Sequence, residues 1–441
     1  MKINWPNIKF TLYIAIILAI LQFSQGRLVP KAYDLKVWIE NNIETVISYL
    51  KFFVLMIWVL GISYPFWKKA FRTNVWVRTA VLVAVPMIFY SYNLRMRILP
   101  VYNLAKGFGD RIGKVYVNDD TIGYKHAPNT TGYRLLGDKY ITVTHDDEGN
   151  RIPVGYKHTN KRPLTIFLGC SVSYGDACWA QDAFSHLVAH DLNGDYINAA
   201  GSGYGVSQML VNAKKFVPKY KPNYLVVQYT EWLPDRSMKT YQTFFGGKFP
   251  IPFISDEGLE MPVFSPRGLK TPFLEFHKTP VSTVDFLKFF GRIAPNFIYQ
   301  DINSIWVFFG QLVGLVPKPT TNQKWAENYA YAELNRICKE NGTKMIVWTT
   351  GTGFWLDPKL PADTIYSLKI PIAYADSALY KKGNAWTKEK YAQLYDHWFL
   401  PKGAKDSIIV DGHPNPYCHR IIADEILKTI KTSDSLDLVR K

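Results

Sequence analysis

Cysteine is scarce in this chain, with four residues among 441. So few cysteines rule out a disulfide-stapled scaffold and an array of zinc ribbons. Charged residues make up 20% of the chain and hydrophobic residues 48%, which excludes a disordered chain and a fibrous repeat. The sequence also lacks a glycine-rich phosphate loop and a nucleic-acid-binding module. We therefore predict no cofactor, no metal and no nucleic-acid partner.

Acidic residues are nearly missing from the N-terminal part of the chain. Residues 1–106 contain 13 Lys/Arg but 3 Asp/Glu, whereas residues 107–441 contain 39 and 33. The net charge of +16 is therefore mainly a property of the N-terminal part. There the basic residues flank apolar runs, which is typical of a membrane protein and not of a nucleic-acid-binding protein.

Three runs in this part are long, apolar and almost free of charge. They lie at residues 10–26, 46–67 and 77–94. A membrane-spanning helix needs about 20 apolar residues, with a lower limit near 17, so Lys51 and Arg78 would extend to the lipid headgroups. We predict a membrane segment, residues 1–106, with about three transmembrane helices. Buried core helices, or a cleaved signal peptide for the first run, are the alternatives.

Basic residues also indicate how this segment crosses the membrane. Lys68, Lys69 and Arg72 are concentrated in the short linker between the second and third runs. The excess of Lys and Arg in cytoplasmic loops places this linker and the N-terminus inside. We therefore predict a multi-pass protein of the cytoplasmic (inner) membrane, with the rest of the chain on the extracytoplasmic side.

From residue 164 onward, short apolar runs alternate with stretches of helical periodicity. The predicted strands are Leu164–Leu168, 196–199, 224–228, Lys344–Thr349 and 370–374. The predicted helices are 183–193, 206–216, 325–341 and 415–430. This alternation predicts an α/β domain whose parallel sheet is covered by helices on both faces. Asp182 is the expected N-cap of the first of these helices.

Two stretches do not follow the alternation. Residues 107–160 are polar and rich in glycine and tyrosine, which predicts a small β-rich lead-in. Residues 238–317 are rich in proline and phenylalanine and include an apolar run, 305–316. A lid, a partner surface and a helix lying on the membrane are the alternatives for this run. We therefore predict an α/β domain over 161–441 with an insertion at 238–317.

Three polar segments adjoin the predicted elements. Residues 169–175 (Gly-Cys-Ser-Val-Ser-Tyr-Gly) follow the first strand, which would expose Ser171 at the edge where α/β sheets bind ligands. The glycines of residues 198–205 leave backbone N–H groups free to face an oxyanion. In the third segment Asp411 can orient His413, whose other ring nitrogen then acts as a base. Taken singly, each segment is equally typical of an ordinary turn or helix entry.

Together the three segments resemble the sequence blocks of the SGNH/GDSL hydrolase family. Residues 169–175 resemble the first block, Gly-Asp-Ser-x-x-x-Gly, with Cys170 in place of Asp. Residues 198–205 resemble the second block, and residues 413–423 resemble the last. The resemblance covers about 107–237 and 325–441 and leaves out the membrane segment and the insertion.

This resemblance implies an SGNH-type three-layer α/β/α domain with a parallel sheet. It implies Ser171 as the nucleophile and His413 as the general base, with Asp411 as the candidate third member. The backbone N–H groups of Ser171 and Gly203 would be the oxyanion donors. The serine would attack an ester carbonyl, and the covalent acyl-enzyme would pass its acyl group to water or to another hydroxyl.

The chain departs from the family pattern at two places. The third family block supplies an Asn side chain to the oxyanion hole, and Trp232 falls at that position here. Losing one such donor costs about 10²–10³ in rate. The usual triad Asp lies three residues before the His, where this chain has Val410. Asp411, Asp406 and a dyad without a carboxylate are the alternatives for orienting His413.

Other candidates carry weaker patterns. Asp182, His186 and His190 have metal-ligand spacing on one helix face, but a solvated face is the simpler interpretation because no Glu follows His186. Cys170 is an alternative nucleophile. For Cys170, Cys178 and Cys418, a disulfide and buried free thiols are the alternatives.

Two functional hypotheses follow. The first is a membrane-anchored serine esterase or O-acyl transfer enzyme that acts on acyl esters of a glycan or lipid-linked saccharide. Its expected partners are the lipid bilayer, that substrate and, for acyl transfer, a membrane-bound O-acyltransferase, because three spans are too few for a polytopic acyl donor channel. The second is a catalytically weak or inactive component of a membrane complex that keeps the fold and acts as a binding scaffold.

Overall fold

The computed structural model describes most of the chain after residue 115. The described ranges are 116–159, 161–244, 247–263, 305–349, 363–402 and 404–439, with residues 111–112 and a few isolated positions between 54 and 303. The chain forms two compact units, Met1–Leu99 and Pro100–Lys441. The predicted membrane helices 10–26, 46–67 and 77–94 lie outside the described residues, apart from single positions. Among the helices that the structure does describe, none is both long enough and apolar enough to cross a bilayer.

A five-stranded parallel sheet forms the centre of the second unit. Its strands, in spatial order, are β15 (Ile372–Ala373), β14 (Lys344–Thr349), β9 (Tyr224–Tyr229), β7 (Leu164–Leu168) and β8 (Asp195–Asn198). The first strand of this sheet, β7, lies beside the edge strand β8, which follows it in the chain. The chain then returns to β9, on the other side of β7, and adds β14 and β15. The point where the direction reverses lies between β7 and β9, and ligands of such sheets bind beside the carboxyl ends of the strands at this point.

Helices connect and cover these strands. They are α1 (Ser171–Tyr174), α2 (Phe184–Asp191), α3 (Val206–Tyr220), α4 (Trp232–Ser237), α5 (305–312), α6 (Gln323–Glu340), α7 (Asp363–Ser367), α8 (Ala375–Gly383), α9 (Lys388–Tyr395) and α10 (Pro416–Val439). The longer helices pack in two groups, α3 with α6, and α2 and α8 with α10. The sheet strands between them are almost fully buried, as expected for a parallel sheet covered on both faces.

The lead-in contains antiparallel strands. They are β1 (Arg111–Ile112), β2 (Tyr116–Asp119), β3 (Gly123–His126), β4 (Thr131–Leu136), β5 (Lys139–His145) and β6 (Arg151–Ile152). β4 and β5 pair along their whole length, and β2 pairs with β3. A second apolar cluster, centred on Tyr116, Tyr124, Tyr204 and Phe249, joins these strands to the α/β domain.

The insertion contributes two hairpins and a helix with an apolar surface. The hairpins are β10 (Tyr241–Phe244) with β11 (Gly247–Pro250), and β12 (Phe253–Ser255) with β13 (Gly258–Glu260). In α5, Val307 is buried, whereas Ile305, Phe309 and Leu312 are each more than half exposed. A last hairpin, β16 (His397–Phe399) with β17 (Ile408–Asp411), precedes α10.

The predicted parallel sheet is confirmed, and the strands Leu164–Leu168 and Lys344–Thr349 have the predicted bounds. Helix α3 runs to Tyr220, through Pro218, and so extends beyond the predicted end at residue 216. The predicted N-cap was wrong. Asp182 ends a 3₁₀ turn, Ala180–Asp182, and Ala183 takes the cap position without a side-chain hydrogen bond, because the turn places Asp182 one residue too early.

Candidate active site

Ser171 begins the short helix α1, three residues beyond β7. The turn before it requires Gly169, because a Cβ there would lie 2.1 Å from Ser173 Oγ. On the neighbouring strand β9, Gln228 Oε1 accepts hydrogen bonds from the Cys170 N–H and from the Ser173 hydroxyl, each at 2.9 Å. The turn that presents Ser171 is therefore fixed by the side chain of an adjacent strand.

His413 follows the end of β17, and Asp411 orients it. His413 Nδ1 lies 2.6 Å from Asp411 Oδ1, and the same oxygen accepts the His413 backbone N–H at 2.8 Å. A spacing of two residues therefore suffices for the contact, because the chain turns at once after the strand. Asp406, the alternative partner, is exposed. The contact leaves Nε2 as the ring nitrogen available to a reacting group.

Arg134 of the lead-in strand β4 contacts the other oxygen of the same carboxylate. Its Nη2 donates to Asp411 Oδ2, and its Nη1 lies 2.9 Å from Asp176 Oδ1. Asp176 in turn accepts the Ser202 hydroxyl at 2.6 Å, and its backbone N–H donates to the Ser171 carbonyl at 2.9 Å. Arg134 is 5% exposed. One buried guanidinium thus links the segments that carry Ser171, Ser202 and Asp411.

The pKa values of the two acids near His413, Asp411 and Asp396, are shifted in opposite directions. Burial acts to raise the pKa of Asp411, but the hydrogen bond from His413 and the charge of Arg134 outweigh it and hold the pKa below its usual value. Burial and repulsion from Asp411 raise the pKa of Asp396 to about 6, and the charge of His413, which acts to lower it, is outweighed. Of the two acids, Asp411 therefore stays ionised to lower pH, and it is the one that contacts His413 Nδ1.

A pocket of about 440 Å³ brings the candidate residues together. Ser171, Asp411 and His413 all line it. Ser171 Oγ lies 3.9 Å from Cys170 Sγ, and in the described part of the chain it forms no hydrogen bond with His413. Such bonds are often long before a substrate binds. The volume falls within the usual range for small-molecule sites, roughly 300–1,000 Å³.

Gly203, the second expected oxyanion donor, lies outside the residues that line this pocket. Its φ of +81° is in the left-handed region that favours glycine. A Cβ there would lie 2.6 Å from both the Tyr124 hydroxyl and the Gln242 amide nitrogen. The structure therefore places Ser171 at the pocket but packs Gly203 against the lead-in and the insertion.

Helix α4 supplies the opposite wall of the pocket. Trp232 and Arg236 both line it. Arg236 Nη1 donates to the Tyr204 carbonyl at 3.1 Å, in the loop that also contains Gly203. The indole of Trp232 therefore stands where the family resemblance expects an amide, and a guanidinium lies one helical turn further along.

All four cysteines are free and buried. Burial raises the pKa of Cys178 to about 12, and it also raises that of Cys418. Cys170 is 1% exposed, whereas Ser171 is only partly buried. Of these two neighbours, the serine hydroxyl is the accessible nucleophile.

The histidines of α2 do not form a metal site. His186 packs edge-on against Tyr156 and Tyr196, and His190 pairs with Asp191 at 3.1 Å. Over the part of the chain that the structure describes, no group of three or more His, Cys, Asp or Glu side chains is arranged to hold a metal ion.

Several site residues were missed by the sequence reasoning. Arg134 and Asp176 belong to no recognisable block, and Arg236 and Asp396 lie outside the motif positions. The one available indication was Arg134, a charged residue on an inward-facing position of β4. A charge at such a position needs a buried partner, but the sequence does not indicate which acid that is.

Comparison with known proteins finds likeness in structure alone. No family model matches the chain, and no curated protein matches it. An α/β hydrolase, LAE5, from the metagenome of Lake Arreo, Spain, is 12% identical, with a TM-score of 0.30; the match covers 61% of this chain and 95% of that one. A putative GDSL-like lipase from Parabacteroides merdae is 10% identical, with a TM-score of 0.29, covering 63% and 98%.

A carbohydrate esterase family 2 enzyme with a carbohydrate-binding domain, from Corynascus thermopiles (Myceliophthora fergusii), also matches. It is 12% identical, with a TM-score of 0.26, and the match covers 69% of this chain and 73% of that one. Likeness at such TM-scores carries no argument about function. The sheet order and the residues that line the pocket carry that argument. In structure, the chain is similar to proteins described as GDSL-like lipases and a putative acylhydrolase.

Proposed function

We propose that this chain is a membrane-anchored serine esterase or O-acyl transfer enzyme of the SGNH type. The observation that carries the proposal is the meeting of Ser171 with the Asp411–His413 pair in one pocket. The serine reaches that pocket from the end of β7, beside the point where the strand order reverses, which is where α/β sheets bind their ligands.

In the first half-reaction, His413 Nε2 takes the proton from Ser171 Oγ as Oγ attacks the ester carbonyl carbon. The carbonyl electron pair moves to oxygen and gives a tetrahedral oxyanion. Asp411, ionised at neutral pH, stabilises the imidazolium through Nδ1. When the oxyanion collapses, the bond to the alcohol breaks, and the alcohol leaves with the proton from His413.

In the second half-reaction, a hydroxyl attacks the acyl-Ser171 ester. His413 takes the proton of that hydroxyl and returns it to Ser171 Oγ when the acyl bond breaks. If the hydroxyl belongs to water, the reaction is hydrolysis. If it belongs to a saccharide, the reaction is transfer, and the acyl group then comes from a membrane-bound O-acyltransferase partner.

Aromatic residues in the pocket support a saccharide ester as the substrate. Trp232, Tyr391 and Tyr395 line its wall, and rings of this kind offer an apolar face with a polar edge. We propose acyl esters of a glycan or lipid-linked saccharide. Hydrolysis of acetylated oligosaccharides, compared with long-chain p-nitrophenyl esters, tests this choice. Turnover restricted to the long-chain esters would contradict it.

Anchoring in the cytoplasmic membrane, with the α/β domain outside, is part of the proposal. The three apolar runs within residues 1–106 and the exposed apolar side chains of α5 support it. Extraction of membranes at alkaline pH tests the anchoring, because a spanning protein stays in the pellet. The native cysteines are buried, so the side on which the domain lies is tested by labelling Asp138→Cys, at an exposed position, from outside the cell.

A binding scaffold without chemistry is the second candidate. It is favoured by Trp232 at the expected amide position and by Gly203, which lies away from the pocket. This candidate predicts that Ser171→Ala leaves the cellular function intact, whereas deletion of residues 238–317 destroys it.

Labelling with a fluorophosphonate probe separates the two candidates. The full chain in detergent is compared with Ser171→Ala and His413→Ala, and Ser367→Ala, at an exposed position, is the control for a serine outside the site. The esterase proposal expects labelling that both site variants lose and that the control keeps. Well-folded wild-type protein that takes no label would instead support the scaffold.

A further inference from the structure

The two walls of the pocket come from adjacent strands. β7 and β9 pair in parallel, with Leu168 opposite Val227. Ser171 follows the first strand by three residues, and α4 follows the second by three. Side chains of α4 therefore face the serine across the point where the strand order reverses. Trp232 and Arg236 are the two residues of this helix that line the pocket.

Arg236 is held in place by the loop that follows β8. Its Nη1 donates to the Tyr204 carbonyl at 3.1 Å. The close approach depends on Gly205, where a Cβ would lie 2.9 Å from Arg236 Cβ. A guanidinium carries five N–H donors in a fixed plane, and this contact uses one of its two terminal nitrogens. The arginine is therefore positioned by the backbone and keeps donors for a group in the pocket.

A serine esterase must stabilise the negative charge that develops on the carbonyl oxygen. Gly203 is not among the residues that line the pocket, and Trp232 offers one neutral indole N–H in place of an amide. Arg236 is the one lysine or arginine among the described residues that line the pocket. Asp396 and Asp411 also line the pocket, so α4 supplies the lysine or arginine side chain of the described lining.

We infer that Arg236 is the oxyanion donor of this site. The inference rests on the proposed esterase function and deepens it. When Ser171 Oγ bonds to the carbonyl carbon, the carbonyl electron pair moves to oxygen, and the Arg236 guanidinium donates hydrogen bonds to this oxygen together with the Ser171 N–H. On collapse of the tetrahedral intermediate the electron pair returns, so Arg236 neither gains nor loses a proton.

The experiment measures kcat and KM of the full chain in detergent with p-nitrophenyl acetate, a neutral ester. Arg236→Met removes the N–H donors of the guanidinium. Arg236→Lys keeps the positive charge but not the planar set of N–H donors. Arg162→Met is the matched control, because Arg162 also donates to backbone carbonyls, those of Tyr220 and Lys221, at an exposed position. Thermal unfolding of each variant shows whether it is folded.

We expect Arg236→Met to lower kcat by about 10²–10³, with KM nearly unchanged, because the lost interaction exists only in the transition state. Arg236→Lys should retain part of the activity, and Arg162→Met all of it. The double variant Trp232→Asn with Arg236→Met places an amide one turn earlier on the same wall. It should recover at least about tenfold of the lost kcat, since one amide donor is worth that much or more.

Three results would overturn the inference. One is an unchanged kcat in Arg236→Met. Another is a higher KM at constant kcat, which would make Arg236 a ground-state binding residue. The third is equal activity of Arg236→Lys and wild type. If Arg236→Met is unfolded, the Arg236→Lys variant decides, because it keeps the side-chain volume and the charge. A wild-type chain that neither hydrolyses the ester nor takes the fluorophosphonate label defeats the proposed function itself, and this inference with it.

Discussion

At the scale of single residues, Arg134 is the group on which the candidate site depends most. It is buried, and it contacts the carboxylates of Asp411 and Asp176. Asp411 orients His413, and the Asp176 backbone N–H donates to the Ser171 carbonyl. Arg134 therefore acts on the proposed reaction through these two acids. Removing one member of a buried charged network is strongly destabilising, because the remaining charges lose their compensation.

Arg134→Met should lower the free energy of unfolding by about 3–5 kcal/mol, the usual cost of an unpaired buried charge.

The lowered pKa of Asp411 means that its ionised form stabilises the fold above pH about 4, and that this contribution is lost as pH falls through the folded pKa. Without Arg134 the pKa of Asp411 rises. Acid inactivation of ester hydrolysis should therefore begin at a higher pH, which a pH–rate profile measures.

Arg134→Lys is the conservative variant. It keeps a positive charge near both acids, but a single ammonium cannot reproduce the planar arrangement in which two guanidinium nitrogens contact Asp411 and Asp176. It should move the acidic limb of the profile back toward that of wild type. An unchanged acidic limb in Arg134→Met, with a lower unfolding free energy alone, would leave Arg134 a structural residue without a positioning role.

Asp396 provides a second pH-dependent prediction. Its pKa is raised to about 6, so the protonated form is favoured in the folded state. The resulting stabilisation is fully present below pH about 4, the usual value of an aspartate, and is lost as pH rises through 6. Asp396→Asn does not lose stability in this way, because the amide does not ionise as pH rises. Its free energy of unfolding should exceed that of wild type above pH 6 by about 1 kcal/mol, after allowance for solvent screening of a half-buried group.

Urea unfolding at pH 4 and at pH 7.5 measures this difference. The exposed Asp138 provides the control, as Asp138→Asn changes charge equally but lies on the surface. Equal stability of Asp396→Asn and wild type at pH 7.5 would show that Asp396 is not held in an unfavourable environment.

At the scale of elements, hydrophobic pattern was sufficient for the parallel sheet. Leu164–Leu168 and Lys344–Thr349 are uninterrupted apolar runs with turn residues beside them, so their bounds were predictable. The ends of the helices were less so. α10 runs from Pro416 to Val439, nine residues past the predicted end. In the added part, Asp434 accepts hydrogen bonds from the Tyr224 hydroxyl and from Lys344 Nζ.

The candidate site was predictable only where it lies in local motifs. Ser171, Asp411 and His413 are adjacent to strand ends, and their positions followed from the alternation of strands and helices. Gln228 and Arg134 reach the site from other elements, 57 and 37 positions away from Ser171 along the chain. Such partners depend on strand order and on the packing of the lead-in, which no local pattern contains. The surroundings of Gly203 were unpredictable for the same reason, since Tyr124 and Gln242 approach it from the lead-in and the insertion.

At the scale of the second unit, Pro100–Lys441, the lead-in and the α/β domain share one interior. The Tyr124 hydroxyl donates to the Ser202 carbonyl at 2.9 Å, and the Gln208 amide donates to the Ile122 carbonyl at 2.8 Å. Arg151 is 1% exposed and donates to the carbonyls of Gly175 and Cys178 at 2.8 and 2.5 Å. These contacts join β6 directly to the segment that follows Ser171. The lead-in is therefore a structural part of the candidate active site.

Arg151→Met should accordingly destabilise both parts at once. The substitution leaves two buried carbonyls without their donors and removes a cation held 4.7 Å from the Tyr174 ring. We expect a loss of about 2–4 kcal/mol in the free energy of unfolding, the cost of leaving such groups unpaired. Hydrogen–deuterium exchange measures where the loss falls. Exchange should rise together in β4, β5 and the segment after Ser171, because the two parts open as one cooperative unit.

Arg162→Met, at an exposed position, is the control and should leave exchange in these regions unchanged. Faster exchange in β4 and β5 alone would mean that the lead-in opens independently, and Arg134 would then leave Asp411 without unfolding the α/β domain. Faster exchange in both regions, with a matching loss of fluorophosphonate labelling at Ser171, would follow directly from the contacts of Arg151. The geometry of the serine would then depend on a strand that precedes it by 19 residues and belongs to a different sheet.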